Sequence, residues 1–205
     1  MSAAMELVLV RHAEPVRVEG GDRPADPNLT ARGYAQADRL AAWLAEEAVD
    51  HLVTSPLARA VETGAPIAIA LGLEPEIVAG VAEWDAGNHE YIPVEELRQL
   101  QDERWFAMIE GRWAQDGGID PMTYRHQVVD AVEDVIERFP ARRVVVVCHG
   151  AAINAYLGHV AGIERPLWFE PAYASISRVA ASRDGVRSIV SVNETGHVRN
   201  LAVPR

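Results

Sequence analysis

Cysteine occurs once in the 205 residues, as Cys148. One thiol excludes an internal disulfide framework and a cysteine-built zinc site, and it fits a reducing compartment. Basic residues are scarce against acidic ones, 19 Lys and Arg facing 30 Asp and Glu for a formal charge of −11. That balance argues against nucleic acid or an anionic membrane surface as partner. No run approaches the ~20 apolar residues of a membrane-crossing helix. The opening MSAAMELVLV lacks the basic start and long apolar stretch of a secretion signal. A cytoplasmic location is therefore expected. Aromatics contribute only 6% of residues while hydrophobic side chains make up 49%, enough for one substantial core in a single domain over residues 1–205.

What is there is an alternation of strand and helix signals. MELVLV and RRVVVVC are continuous aliphatic runs of the kind covered on both faces in a mostly parallel sheet, with DHLVTS a shorter candidate and EPEIVAG a weaker one. Thr30 heads a helical pattern with Leu40, Trp43 and Leu44 on one face. Ser55 and Pro56 look like the N-cap and first residue of another, with Gly64 and Pro66 predicting a break midway. A third pattern turns Val128, Val132, Val135 and Ile136 inward and stops at Pro140. A fourth follows directly on VVVVC. SISRVAAS, a turn at RDG and VRSIVSVNE read as a C-terminal hairpin, whose exposed edge offers a route to a homodimer. The expected fold is a three-layer αβα sandwich with a mostly parallel central sheet. Residues 85–122 interrupt the alternation with a helix over roughly 93–110 and a Gly-rich loop, QDGGID. They are expected to form a helical insertion over the active site.

In such sheets ligands bind beyond the carboxyl ends of the strands. Arg11 and His12 follow the first strand, Arg59 sits in the first turn of the helix after the second, and His149 and Gly150 follow VVVVC. A cation in a first helical turn opposes the helix dipole and sits better there beside a bound anion. Backbone N–H groups of Gly150 and Ala151 add donors at another helix start. Two Arg, two His and two helix N-termini at one sheet edge describe a dianion pocket, and Arg forks match phosphate oxygens. No Gly-rich Walker loop or HExxH metal motif is present, and the sixth residue after Cys148 is Asn154 rather than the Arg of a Cys-x5-Arg loop. Histidine remains as the candidate nucleophile, needing neither metal nor cofactor. Arg11, Arg59 and a protonated His149 would then stabilise the oxygens on phosphorus.

LVRHAEP, LTARGYAQA, SPLARAVETG, AEWDAG, VVVVCHGAAINAYLG and SVNETGHV resemble, in order, the motifs of the histidine phosphatase superfamily, which includes the cofactor-dependent phosphoglycerate mutases. The resemblance implies that His12 is phosphorylated, that Arg11, Arg59 and His149 complete the phosphate pocket, and that Glu83 is the acid that protonates the leaving group, with Asp85 as fallback. It implies metal-independent hydrolysis of a phosphomonoester, through a phosphohistidine intermediate, on a small phosphorylated metabolite. Pro15, Asn154 where Arg is frequent, and the lack of the mutases' paired Arg in the insertion favour hydrolysis over mutase chemistry. A phosphomutase and a non-catalytic phospho-ligand-binding module are the alternatives. His89, Tyr91 and Arg104 are possible leaving-group contacts.

Overall fold

The computed structural model describes residues 4–113 and 119–201. The sheet has six strands: β1 (Met5–Arg11), β2 (His51–Thr54), β3 (Glu76–Ile77), β4 (Arg143–Cys148), β5 (Ile176–Ala181) and β6 (Arg187–Glu194), in the spatial order β3-β2-β4-β1-β5-β6. The first four in that order are parallel, and β5 and β6 add the expected antiparallel hairpin. Helices α1 (Ala31–Leu44), α2 (Ala58–Leu71), α5 (Pro121–Arg138) and α6 (Gly150–Ala161) cover the sheet, while α3 (Val94–Gln99) and α4 (Glu103–Ile109) lie between β3 and α5.

The aliphatic runs explain the layering. Successive strand residues point to opposite faces, so Leu7, Leu9, Val144 and Val146 pack with α5 and α6. Val8, Val10, Val145 and Val147 pack with α1 and α2. All four valines of β4 are fully buried, each stabilising the fold by about 1.5–3 kcal/mol relative to exposure. Thr30 caps α1, its hydroxyl accepting from the Gly33 N–H. A Cβ at Gly33 would lie 2.1 Å from the Glu14 carbonyl oxygen, so only glycine lets α1 approach the chain that leaves β1 this closely.

Several local expectations are corrected. Trp43 is 47% exposed, because the inward face of α1 is already filled by Leu40, Ala41 and Leu44. The helix α2 starts at Ala58 with Leu57 as a cap that lends no side chain, and it runs unbroken through Pro66. Gly64 abuts Thr54 of β2, where a Cβ would come within 2.7 Å of its methyl, so the glycine serves helix–sheet packing rather than a break. The single helix over 93–110 is two, α3 and α4, separated where Gln101 takes a φ of 50°. The QDGGID loop falls largely outside the described residues.

Candidate active site

The parallel strands β1 and β4 lie side by side in register, with Arg11 opposite Cys148. The next residues, His12 and His149, therefore emerge together at the carboxyl edge. The His12 N–H donates to the Cys148 carbonyl (2.9 Å), and the Ala174 N–H donates to the His12 carbonyl (3.2 Å). The backbone around His12 is thus clamped on two sides. The two imidazoles stand 5.1 Å apart between ring centres.

His12 Nδ1 lies 2.8 Å from the Ala13 carbonyl. A carbonyl only accepts, so Nδ1 carries the hydrogen and Nε2 keeps its lone pair. Burial pushes the His12 pKa well below 6.5, and the Arg59 and Arg11 charges push the same way. His12 is a neutral imidazole. The expectation of a protonated His149 is corrected by the same physics, since burial, then Arg59, His12 and Arg11, hold it well below 6.5 too. Its Nε2 pairs with the Ser55 hydroxyl at 2.7 Å. The same hydroxyl oxygen accepts from the Leu57 N–H at 3.3 Å.

Arg11 is held from behind. Its Nη1 donates to Glu95 Oε1 (2.6 Å) and to the Pro171 carbonyl (2.5 Å), and its guanidinium lies 3.9 Å from the Tyr173 ring centre. The Tyr173 hydroxyl donates to the other Glu95 oxygen at 2.9 Å. Arg59 is held more loosely, with Asp85 Oδ1 at 3.4 Å from Nη2 and the Tyr91 ring 4.7 Å away. These partners leave Arg11 Nε, Arg59 Nε and His149 Nδ1 buried with no hydrogen-bond partner. A buried donor without an acceptor costs about 1–3 kcal/mol, and three at one sheet edge constitute a site shaped for an oxyanion.

Glu83 sits over the start of α6. Its carboxylate accepts from the Ala151 N–H (3.2 Å), the Trp84 N–H (3.2 Å) and the Tyr124 hydroxyl (3.1 Å). One N–H expected to serve the anion, that of Ala151, therefore serves this carboxylate instead, drawn by the positive end of the helix. Burial, then the neighbouring Asp85 carboxylate, push the Glu83 pKa up to about 7 against the opposing pull of Arg59.

Arg11, His12, Arg59, Glu83 and Gly150 line one cavity of about 310 Å³, with His149 fully buried beneath it. The segment from residue 85 contributes Asp85, Tyr91, Ile92, Val94, Trp105, Met108 and Ile109. Of the three possible leaving-group contacts, only Tyr91 lines it. His89 is turned to the Gly21 carbonyl, and Arg104 is spent on Asp102 and Glu90 at the surface. Sequence reasoning missed the opposite wall, Arg165 to Pro171. It also missed the supports Glu95 and Tyr173. A signal existed: β5 begins opposite Val10 of β1, so an added antiparallel strand carries the residues preceding it to the carboxyl edge. Asn154 fixes this wall, its amide donating to the Gly150 and Phe169 carbonyls and its oxygen accepting from the Trp168 and Phe169 N–H groups.

No group of three or more His, Cys, Asp or Glu arranged to hold a metal ion occurs among the described residues, and no described helix is long and apolar enough to cross a membrane.

Comparison with known proteins agrees with this arrangement. Phosphoserine phosphatase 1 of Hydrogenobacter thermophilus is 32% identical over 172 residues, 78% of each chain. A probable phosphoglycerate mutase of Yersinia enterocolitica is 28% identical, over 78% of this chain and 76% of its own. Among solved structures, Bacillus stearothermophilus YhfR superposes with a TM-score of 0.78 at 20% identity, covering 94% of this chain and 98% of its own. Mycobacterial glucosyl-3-phosphoglycerate phosphatase gives 0.76 at 20% identity, over 94% and 100%. These structural likenesses speak for the fold. The sequence profile of the histidine phosphatase superfamily (branch 1) matches residues 7–195, nearly the whole chain, and with the identity above it establishes that the protein belongs to that superfamily.

Proposed function

We propose that the protein hydrolyses phosphomonoesters of small metabolites through a phosphohistidine formed on His12. The observation that carries this reading is the lone pair of His12 Nε2, fixed by the Ala13 carbonyl, at an edge where three buried donors lack acceptors.

The steps follow from the geometry. Arg11, Arg59 and His149 Nδ1 take the phosphoryl oxygens. A bound dianion favours the charged form of His149, opposing the burial that keeps it neutral. His12 Nε2 attacks phosphorus in line as the ester P–O bond breaks. Glu83, protonated below about pH 7, gives its proton to the departing oxygen. The resulting carboxylate then accepts a proton from water, the water oxygen bonds to phosphorus, the P–N bond breaks and phosphate leaves. Neutral His12 and protonated Glu83 are restored. Of the segment 85–122, the described residues Asp85 to Ile109 serve as the substrate-side wall.

Relatives with phosphatase names and the resemblance to that branch support hydrolysis over transfer to a second acceptor. So does the charge of the wall, where the cavity gains only Arg165 beyond the two phosphate-binding arginines. The test is a rapid quench into alkaline detergent with a radiolabelled ester, with no bisphosphate activator added. The wild type acquires alkali-stable, acid-labile label on His12 and releases phosphate, and His12→Ala does neither while keeping its Tm. Full turnover in His12→Ala sinks the assignment.

A further inference from the structure

Resting on the phosphomonoesterase reading, we infer that the leaving group is an uncharged, ring-bearing or otherwise apolar alcohol rather than a carboxylated metabolite. The wall above the phosphate cradle is the reason. Helix α4 turns Trp105, Met108 and Ile109, spaced i, i+3, i+4, toward the cavity. None of its residues is fully buried, so this apolar face is available to a ligand and is not spent wholly on the core. Opposite stand Leu167, Trp168 and Phe169. Trp84 closes the wall nearest the acid and is braced by Trp113, its ring centre 4.9 Å away.

The charges point the same way. Among the described residues, the ionisable lining outside the cradle is Glu83, Asp85, Tyr91, Glu170 and Arg165. Arg165 is exposed and directs its Nε at the Ile109 carbonyl, 3.5 Å away. A leaving group bearing a carboxylate would meet the oxygens of Asp85 and Glu170, already paired with Arg59 and Arg98, and one solvated cation, whereas a ring would meet tryptophan and phenylalanine side chains. At about 310 Å³ the cavity lies at the small end of the ~300–1,000 Å³ of small-molecule sites, sized for a phosphoryl group and one ring. The wall is also pre-formed. Asn154 holds the backbone of Trp168 and Phe169 by three hydrogen bonds of 2.9–3.2 Å, which lowers the ordering cost of binding.

The experiment compares kcat/KM for 2-phenylethyl phosphate, ethyl phosphate, O-phosphoserine and 3-phosphoglycerate. The first two have similar leaving-group basicity, so chemistry alone does not separate them. Burying the ring predicts an advantage of at least about tenfold for the phenylethyl ester over ethyl phosphate, and both carboxylated esters rank below it. Trp105→Ala shrinks the phenylethyl-to-ethyl ratio toward one. A parallel titration with 3-phenylpropylphosphonate and propylphosphonate reads the same wall without turnover. Preference for either carboxylated ester, or equal use of the phenylethyl and ethyl esters, overturns the inference while leaving hydrolysis intact. Tight, ring-selective phosphonate binding with no hydrolysis of any ester instead removes the hydrolytic reading and upholds the wall.

Discussion

Replacing Glu83 with Gln should make the protein more stable and less active at once, with both effects governed by pH. The Glu83 pKa moves from 4.5 to about 7 on folding, and that gap corresponds to ~3 kcal/mol of preference for the proton at ~1.36 kcal/mol per pH unit. Between those two values the folded state binds more protons than the unfolded chain, so stability falls as pH rises through that window. Above pH 7 the fold carries the whole cost of the buried charge; below pH 4.5 it carries none. Glutamine removes this cost. Its carbonyl can still accept from Trp84 and Tyr124, but its amide would meet the Ala151 N–H donor to donor, at a cost of about 1 kcal/mol.

The net expectation for Glu83→Gln is about 2 kcal/mol of added stability at pH 8 and almost no change at pH 5, where the wild type already carries about 0.8 kcal/mol of the cost. For a chain of this length that corresponds to a Tm about 4–8 °C above wild type at pH 8 and within about 1 °C of it at pH 5. Activity changes in the opposite sense. In the wild type, kcat/KM for an alkyl phosphate falls as pH rises through about 7, because the acid loses its proton. In the variant that fall disappears, and kcat/KM drops by about 10²–10⁴. For 2,4-dinitrophenyl phosphate, whose leaving group needs no proton, the loss is small. Differential scanning calorimetry at two pH values and a pH–rate profile decide the matter. A Tm difference that is the same at pH 5 and pH 8 would refute the buried-acid argument, and an unchanged basic limb would remove Glu83 from the proton transfer.

Two further outcomes are expected. Asp85→Asn removes a carboxylate that raises the Glu83 pKa and releases Arg59 to lower it, so the basic limb of the pH–rate profile moves to lower pH; a shift upward or none contradicts the coupling. Gly33→Ala forces a methyl into the Glu14 carbonyl at 2.1 Å, an overpacking cost of about 2–3 kcal/mol that should lower Tm by about 5–10 °C, and a wild-type Tm would show that the contact relaxes freely.

The parts of this protein legible in its sequence are those set by the chain's own neighbours. The valine runs specify buried strands because their whole surface is apolar, and strand register then carries Arg11–His12 and Cys148–His149 to one edge together. What stayed hidden depends on distant partners. Ser55 has the local chemistry of an N-cap and its oxygen accepts from the Leu57 N–H, yet the hydroxyl also meets the buried imidazole of His149 at 2.7 Å, a contact across 94 residues that no window along the chain contains. Glu95 reads as an ordinary acid in the first turn of a short helix until Arg11 and Tyr173 are brought onto it. Asn154 is the sharpest case. As a departure from a frequent arginine it counts only toward hydrolysis over mutase chemistry, whereas in the fold its amide satisfies four backbone groups and fixes the loop that carries Trp168 and Phe169. An arginine has five donors and no acceptor, so it could not take the two N–H groups that the asparagine oxygen accepts. Exchanging a cation for that clamp removes a positive charge and gains a rigid aromatic wall, so the same substitution that weakens the case for a second phosphoryl contact supplies the surface for an apolar one.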